Sequence, residues 1–285
     1  LPALAAAPLA VVTVTGTAFG QSEGQYEAAV FGVNLYGGSG QCGSGAADLD
    51  HTVDDMNEVR NRLAAQGYQV SSTNNANEGT DGRDFLDTTK GGLDHAEPNG
   101  TDWADVIFYS GHGRRVVDQF SAILMGDNEE VCEPNTRDHF RFGSTNGDAN
   151  ALILAACQSM QMSVWNNGGY WTAFAGIDFS MFMGFNGNSF DSTDNTNRYG
   201  DYIVAAQNNG IGSEWVDLLT DLDPFISNND QCATIMIAGN SASQRRDQYN
   251  NGGFKDFHQP TTHAGSTYFY WCSCDADVAN PLPGC

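Results

Sequence analysis

The apolar segments of this chain point to an α/β fold, a caspase-like three-layer sandwich in which a mainly parallel sheet is flanked by helices. Three stretches carry that expectation. Asp105-Val106-Ile107-Phe108-Tyr109 is a buried strand that stops at Ser110-Gly111-His112-Gly113, and 45 positions later Ala151-Leu152-Ile153-Leu154-Ala155-Ala156 is a second one that stops at Cys157. Ahead of both, a strand at 26–36, a helix at 46–66 and a strand at 68–71 make a β-α-β start, which favours parallel strands joined by right-handed crossovers. If the two motif strands lie side by side, the imidazole and the thiol emerge at one carboxyl edge, where open α/β sheets place their sites.

Taken in order, residues 1–20 are nearly free of charge and rich in Ala, Val and Thr. They read as the apolar part of a secretory signal or as an arm packed on this or a neighbouring molecule. In 46–66 the residues Leu49, Val53, Met56, Val59 and Leu63 recur at helical spacing, and Gly67 stops the helix. Residues 72–102 are Asn-, Asp- and Gly-rich and read as a loop with at most a short helix near 84–89. Val116–Met125 reads as a hairpin strand, 127–147 as loop, 178–185 as a buried strand and 186–197 as a polar loop. Helices are expected at 198–209 and 213–222, a last apolar strand at 233–238 and a short strand at 268–271. The expected organisation is an N-terminal arm at 1–20, one α/β domain at 21–245 and a C-terminal extension with a Cys-rich tail at 246–285.

The composition narrows the partners. Twelve basic against 35 acidic residues give a net charge of −23, and Lys90 and Lys255 are the only lysines. Such a surface repels nucleic acid, whose binding rests on Lys and Arg clusters, and is compatible with adaptation to high salt. No stretch reads as a membrane span. Seven cysteines are an odd number, and setting aside Cys157 leaves Cys42, Cys132, Cys232, Cys272, Cys274 and Cys285, enough for three disulfides. With so little lysine, this favours a protein exported to an oxidising space.

The run Phe108-Tyr109-Ser110-Gly111-His112-Gly113 resembles the histidine motif of metacaspases and other caspase-fold cysteine peptidases. Leu154-Ala155-Ala156-Cys157-Gln158-Ser159 is similar to the cysteine motif of that superfamily, closest to its legumain and gingipain branches, and a family of secreted bacterial proteins resembles the same layout. The resemblance spans roughly 26–245 and includes the helix pair after the Cys strand. It implies a Cys157 nucleophile, His112 as acid and base, and an oxyanion hole made by the Gly113 and Cys157 N–H groups. The chemistry is consistent with this. A thiol of ordinary pKa about 8.5 is mostly protonated at neutral pH, and a histidine can accept its proton and later protonate the leaving amine.

An acidic pocket would select Arg or Lys in a protein or peptide substrate, with Asp178 and Asp191 as candidates, whereas Arg114 beside the histidine could instead bind a carboxylate. No cofactor or metal is expected at the dyad. Asp81, Asp84, Asp87 and Asp94 could hold Ca²⁺, although no EF-hand spacing is present. A metal hydrolase built from His112, His139, His258 and His263 lacks any His-Glu-x-x-His pair. The reading from another class is a catalytically silent extracellular subunit that assembles into oligomers or filaments through the 1–20 arm.

Overall fold

The structure, a computed structural model, describes residues 25–36, 42, 46–71, 75–95, 100–116, 120–125, 131–143, 147–160, 179–208, 210–220, 231–257 and 267–273. The arm at 1–20, Asp178, Cys274 and Cys285 lie outside them. Seven strands form one sheet: β1 (Glu27–Gly32), β2 (Gln69–Val70), β3 (Val106–Ser110), β6 (Ala151–Ala155), β7 (Met181–Phe185), β8 (Ala233–Gly239) and β9 (Thr267–Ser273). Their order is β2-β1-β3-β6-β7-β8-β9, and β4 (Gly113–Val116) with β5 (Phe120–Ile123) makes a separate antiparallel ribbon. All pairs from β2 to β7 are parallel, and β8 runs antiparallel to both of its neighbours.

Strands β1, β3, β6, β7 and β8 are buried on both faces, which is why they read as unbroken apolar runs. Ala28, Val30, Val106, Phe108, Ala151 and Ile153 turn to one side, under helices α1 (Thr52–Ala65), α2 (Thr193–Ala205) and α3 (Ile211–Thr220). On this side Trp215 packs among Tyr199, Tyr202 and Phe185, and its indole N–H reaches the Thr234 carbonyl at 3.1 Å. Ala29, Phe31, Ile107, Tyr109, Leu152 and Leu154 turn to the other side, against Phe85, Phe140, Phe142 and Phe179 from the loop layer. The result is a three-layer α/β sandwich.

Two helices and the domain limit are among the features that differ from expectation. Helix α2 starts at Thr193, inside the stretch read as polar loop, because the Ser192 hydroxyl accepts the Asn195 N–H and caps it. A helix α4 (Ala242–Asn251), capped by Ser241, crosses residue 245, where the domain limit was expected. Beyond it β9 pairs with β8 along its whole length, so the described residues past 245 complete the sandwich instead of extending it. The physical reason is that β8, an apolar strand, would otherwise leave one backbone edge unpaired.

Among the described residues Cys42 and Cys132 are disulfide-linked, Cys232 is also in a disulfide, and Cys157 is the free cysteine. No helix of the described residues is long and apolar enough to cross a membrane.

Candidate active site

Strands β3 and β6 pair in parallel with a constant offset of 45, from Val106 opposite Ala151 to Ser110 opposite Ala155. The same offset takes His112 to Cys157. Both residues therefore leave neighbouring strands at one level of the carboxyl edge, and the Gly111 N–H still reaches the Ala155 carbonyl at 3.3 Å. They line a common pocket of about 300 Å³ with Leu49, Thr52, Asp55, Ser110, Ser189, Phe190 and Asp191. The pocket opens where chain order reverses across the sheet, since β1 is followed by β2 on one side and by β3 on the other.

The histidine is held from three directions. Its Nε2 lies 2.8 Å from the Ala47 carbonyl, its ring packs on Tyr36 at 4.6 Å, and its backbone N–H donates to the Tyr36 hydroxyl at 2.8 Å. A carbonyl oxygen only accepts, so Nε2 carries the proton and Nδ1 is left as the basic nitrogen of neutral His112. The segment bearing Ala47 is fixed in turn, by the Asp48 carboxylate accepting the Tyr36 N–H at 2.7 Å and by Leu49 N–H donating to the Asn34 carbonyl at 2.9 Å.

The cysteine sits on a tight turn. Gln158, directly after it, has φ +56°, in the region that side chains other than glycine rarely adopt, and its N–H is taken by the Gly187 carbonyl at 2.7 Å. Ser159 pins the turn by donating to the Leu154 carbonyl and accepting the Phe185 N–H, both at 3.1 Å. The Cys157 thiol lies 3.5 Å from the Ser189 carbonyl, and burial pushes its pKa up. Gly113 packs against this turn so closely that a Cβ would come within 2.6 Å of the Cys157 carbonyl oxygen. Its missing side chain thus serves the approach of two backbones.

The acidic candidates divide. Asp191 lies in the pocket and accepts the N–H groups of Asp50 and His51, the latter at 2.8 Å, at the start of α1. Arg114 is not a pocket residue: its exposed guanidinium pairs with Glu133 on the ribbon side, because alternation along β4 turns it away from the His112 edge. A residue that sequence reasoning passed over is Asp55. It is buried, accepts hydrogen bonds from the Ser110 and Thr196 hydroxyls, and its pKa is raised to about 7, chiefly by burial and also by Asp191. The signal was present, since Thr52, Asp55, Met56, Val59 and Leu63 share one buried helical stripe and a carboxylate there must serve a purpose.

The four aspartates considered for Ca²⁺ do not converge. Asp81, Asp84 and Asp87 cap 3₁₀ turns, and only Asp94 belongs to a cluster of potential ligands, with His95 and Asp102.

Compared with known proteins, the chain matches over residues 36–273 a family model described as "Domain of unknown function (DUF6345)". No curated protein matches it.

Proposed function

The chain belongs to the DUF6345 family, a membership that carries no activity with it, and we propose from the chain's own geometry that it is a secreted cysteine endopeptidase of caspase-like type. The observation that carries the proposal is the continued register of β3 and β6. It sets His112 and the free Cys157 side by side on one pocket, with an Ala47 carbonyl that leaves Nδ1 as a base.

In the proposed cycle His112 Nδ1 takes the thiol proton as Sγ attacks the scissile carbonyl carbon. The C–N bond breaks, the imidazolium protonates the leaving amine, and a thioester remains on Cys157. Water then gives a proton to His112 as it attacks the thioester, the C–S bond breaks and the thiol regains the proton. The N–H groups of Gly113 and Cys157 are assigned to the oxyanion. Burial raises the thiol, which favours its protonated form before substrate binds.

Asp55 and Asp191 face the same pocket and Arg114 does not, which supports a preference for Arg or Lys at the residue before the cleaved bond. A cation between the two carboxylates would gain charge-assisted hydrogen bonds that a neutral side chain forgoes. Secretion is supported by the Cys42–Cys132 disulfide.

The raised thiol is also what a silent structural subunit would show, so activity decides between the two readings. The test is a panel of internally quenched peptides that differ at one position. Cleavage after Arg or Lys, falling at least about 10³-fold in Cys157→Ala, is the expected result. A full panel left uncut, or cut equally by the variant, leaves the silent subunit as the better reading.

A further inference from the structure

Away from the dyad, at the amino ends of β3 and β6, a second group of side chains is built for a different ligand. Asp102 precedes β3 by four residues and Ala149 precedes β6 by two, so this group lies at the opposite edge of the sheet, about 15 Å from the pocket by strand length. Asp94 and Asp102 are both fully buried, and His95 between them is about one-fifth exposed. One ligand atom from each residue lies within 4.8 Å of the others. His95 Nε2 is 3.6 Å from Asp102 Oδ2 and 3.8 Å from Asp94 Oδ1.

These separations are too long for hydrogen bonds and close to what a shared ion needs. Donors bonded tetrahedrally at about 2.1 Å stand about 3.4 Å apart. The two carboxylates are also oriented. Asp102 Oδ1 accepts the Gly143 N–H at 2.7 Å and the Ala149 N–H at 3.3 Å, while Asp94 Oδ1 accepts the Thr88 N–H at 3.0 Å. The second oxygen of each, Oδ2, is buried and has no hydrogen-bond partner. A buried carboxylate oxygen left without a partner is costly, and the Asp102 Oδ2 that stands 3.6 Å from His95 Nε2 calls for a positive charge. Gly147 closes over the site, since any Cβ there would collide with the Asp102 carboxylate.

We propose that Asp94, His95 and Asp102 form a binding site for one divalent cation of the zinc class, which ties the Asp94–His95 segment to Asp102 and the start of β6. The imidazole nitrogen selects zinc over calcium, whose ligands are oxygens. The amide-held oxygens supply the orienting contacts that metal-bound carboxylates require. The exposed fifth of His95 gives the ion a way in, and water completes the coordination.

The test uses the full chain, stripped with a chelator and dialysed against Zn²⁺ or Ca²⁺ in turn, with bound metal measured by mass spectrometry and stability by thermal unfolding. One zinc per chain is expected, with a rise in Tm of about 5 °C at a hundredfold excess over Kd. Both effects are expected to fall at least tenfold in apparent affinity in His95→Gln, which alters a partly exposed residue and leaves the buried acids in place. Asp102→Asn serves as the second variant, provided that its thermal transition remains cooperative. Absence of zinc binding, zinc binding unchanged in His95→Gln, or an equal response to Ca²⁺ overturns the proposal.

Discussion

In the proposed peptidase, Asp55 is the residue on which specificity would turn. In water its carboxyl would titrate near 3.9, but burial beneath the pocket holds it at about 7, so at neutral pH it is poised between its two forms. A guest guanidinium or ammonium stabilises the ionised form, and the neutral form offers such a guest little. The preference for Arg over Leu before the cleaved bond is therefore expected to weaken as pH falls through 7. Asp55→Asn keeps the shape and removes the charge, with one hydroxyl still donating to Oδ1 and the other turned to accept from Nδ2. It is expected to lower the Arg-to-Leu ratio in kcat/KM by roughly 10- to 100-fold and to flatten that ratio against pH. A ratio left unchanged would assign selection to Asp191 alone.

At the scale of elements, the site is a strand pair plus one staple. The Cys42–Cys132 bridge ties the segment before Ala47, which holds His112, to the segment after β5. It closes a loop spanning 90 residues, for which a disulfide contributes about 2–5 kcal/mol. The double replacement Cys42→Ser and Cys132→Ser is expected to cost stability in that range and to lower kcat further than KM changes, because Ala47 loses its anchor. Denaturant unfolding with parallel kinetics checks both, and full kcat in a folded double variant would free the Ala47 segment from this role.

Much of this level was legible in the sequence. Strands β3 and β6 stood out because both faces are buried, and the spacing of 45 between His112 and Cys157 proved to be the register itself. The start of α2 was hidden, since Ser192 caps a helix whose first turns are Asn, Asp and Thr, residues that equally favour loops. Asp55 was legible only in part: its place in the helical stripe was readable, but a single acid there is read as solvated until its neighbours are known. The Ala47 carbonyl could not be found in advance, since a backbone atom leaves no mark on a sequence.

For the molecule as a whole, buried acids set the response to pH. Asp55 and Asp84 are raised to about 7 and Asp105 to about 8, in each case chiefly by burial, against about 3.9 in an unfolded chain. Between about pH 4 and pH 8 the folded chain holds protons that the unfolded chain has released, so stability falls as pH rises across that window. Thermal unfolding at constant ionic strength and in chelator is expected to show Tm rising as pH is lowered from 8 toward 5; a Tm that falls instead would mean these acids are ionised in the fold. The central claim is that Cys157 is a nucleophile served by His112, and its most direct measurement is intact mass after treating native protein with a peptide chloromethyl ketone ending in arginine. The account predicts one adduct per chain, on Cys157, formed much faster than with the aspartate-ending analogue and lost in His112→Ala. Labelling that proceeds equally with both reagents and survives in His112→Ala, or that occurs only after unfolding, would contradict it.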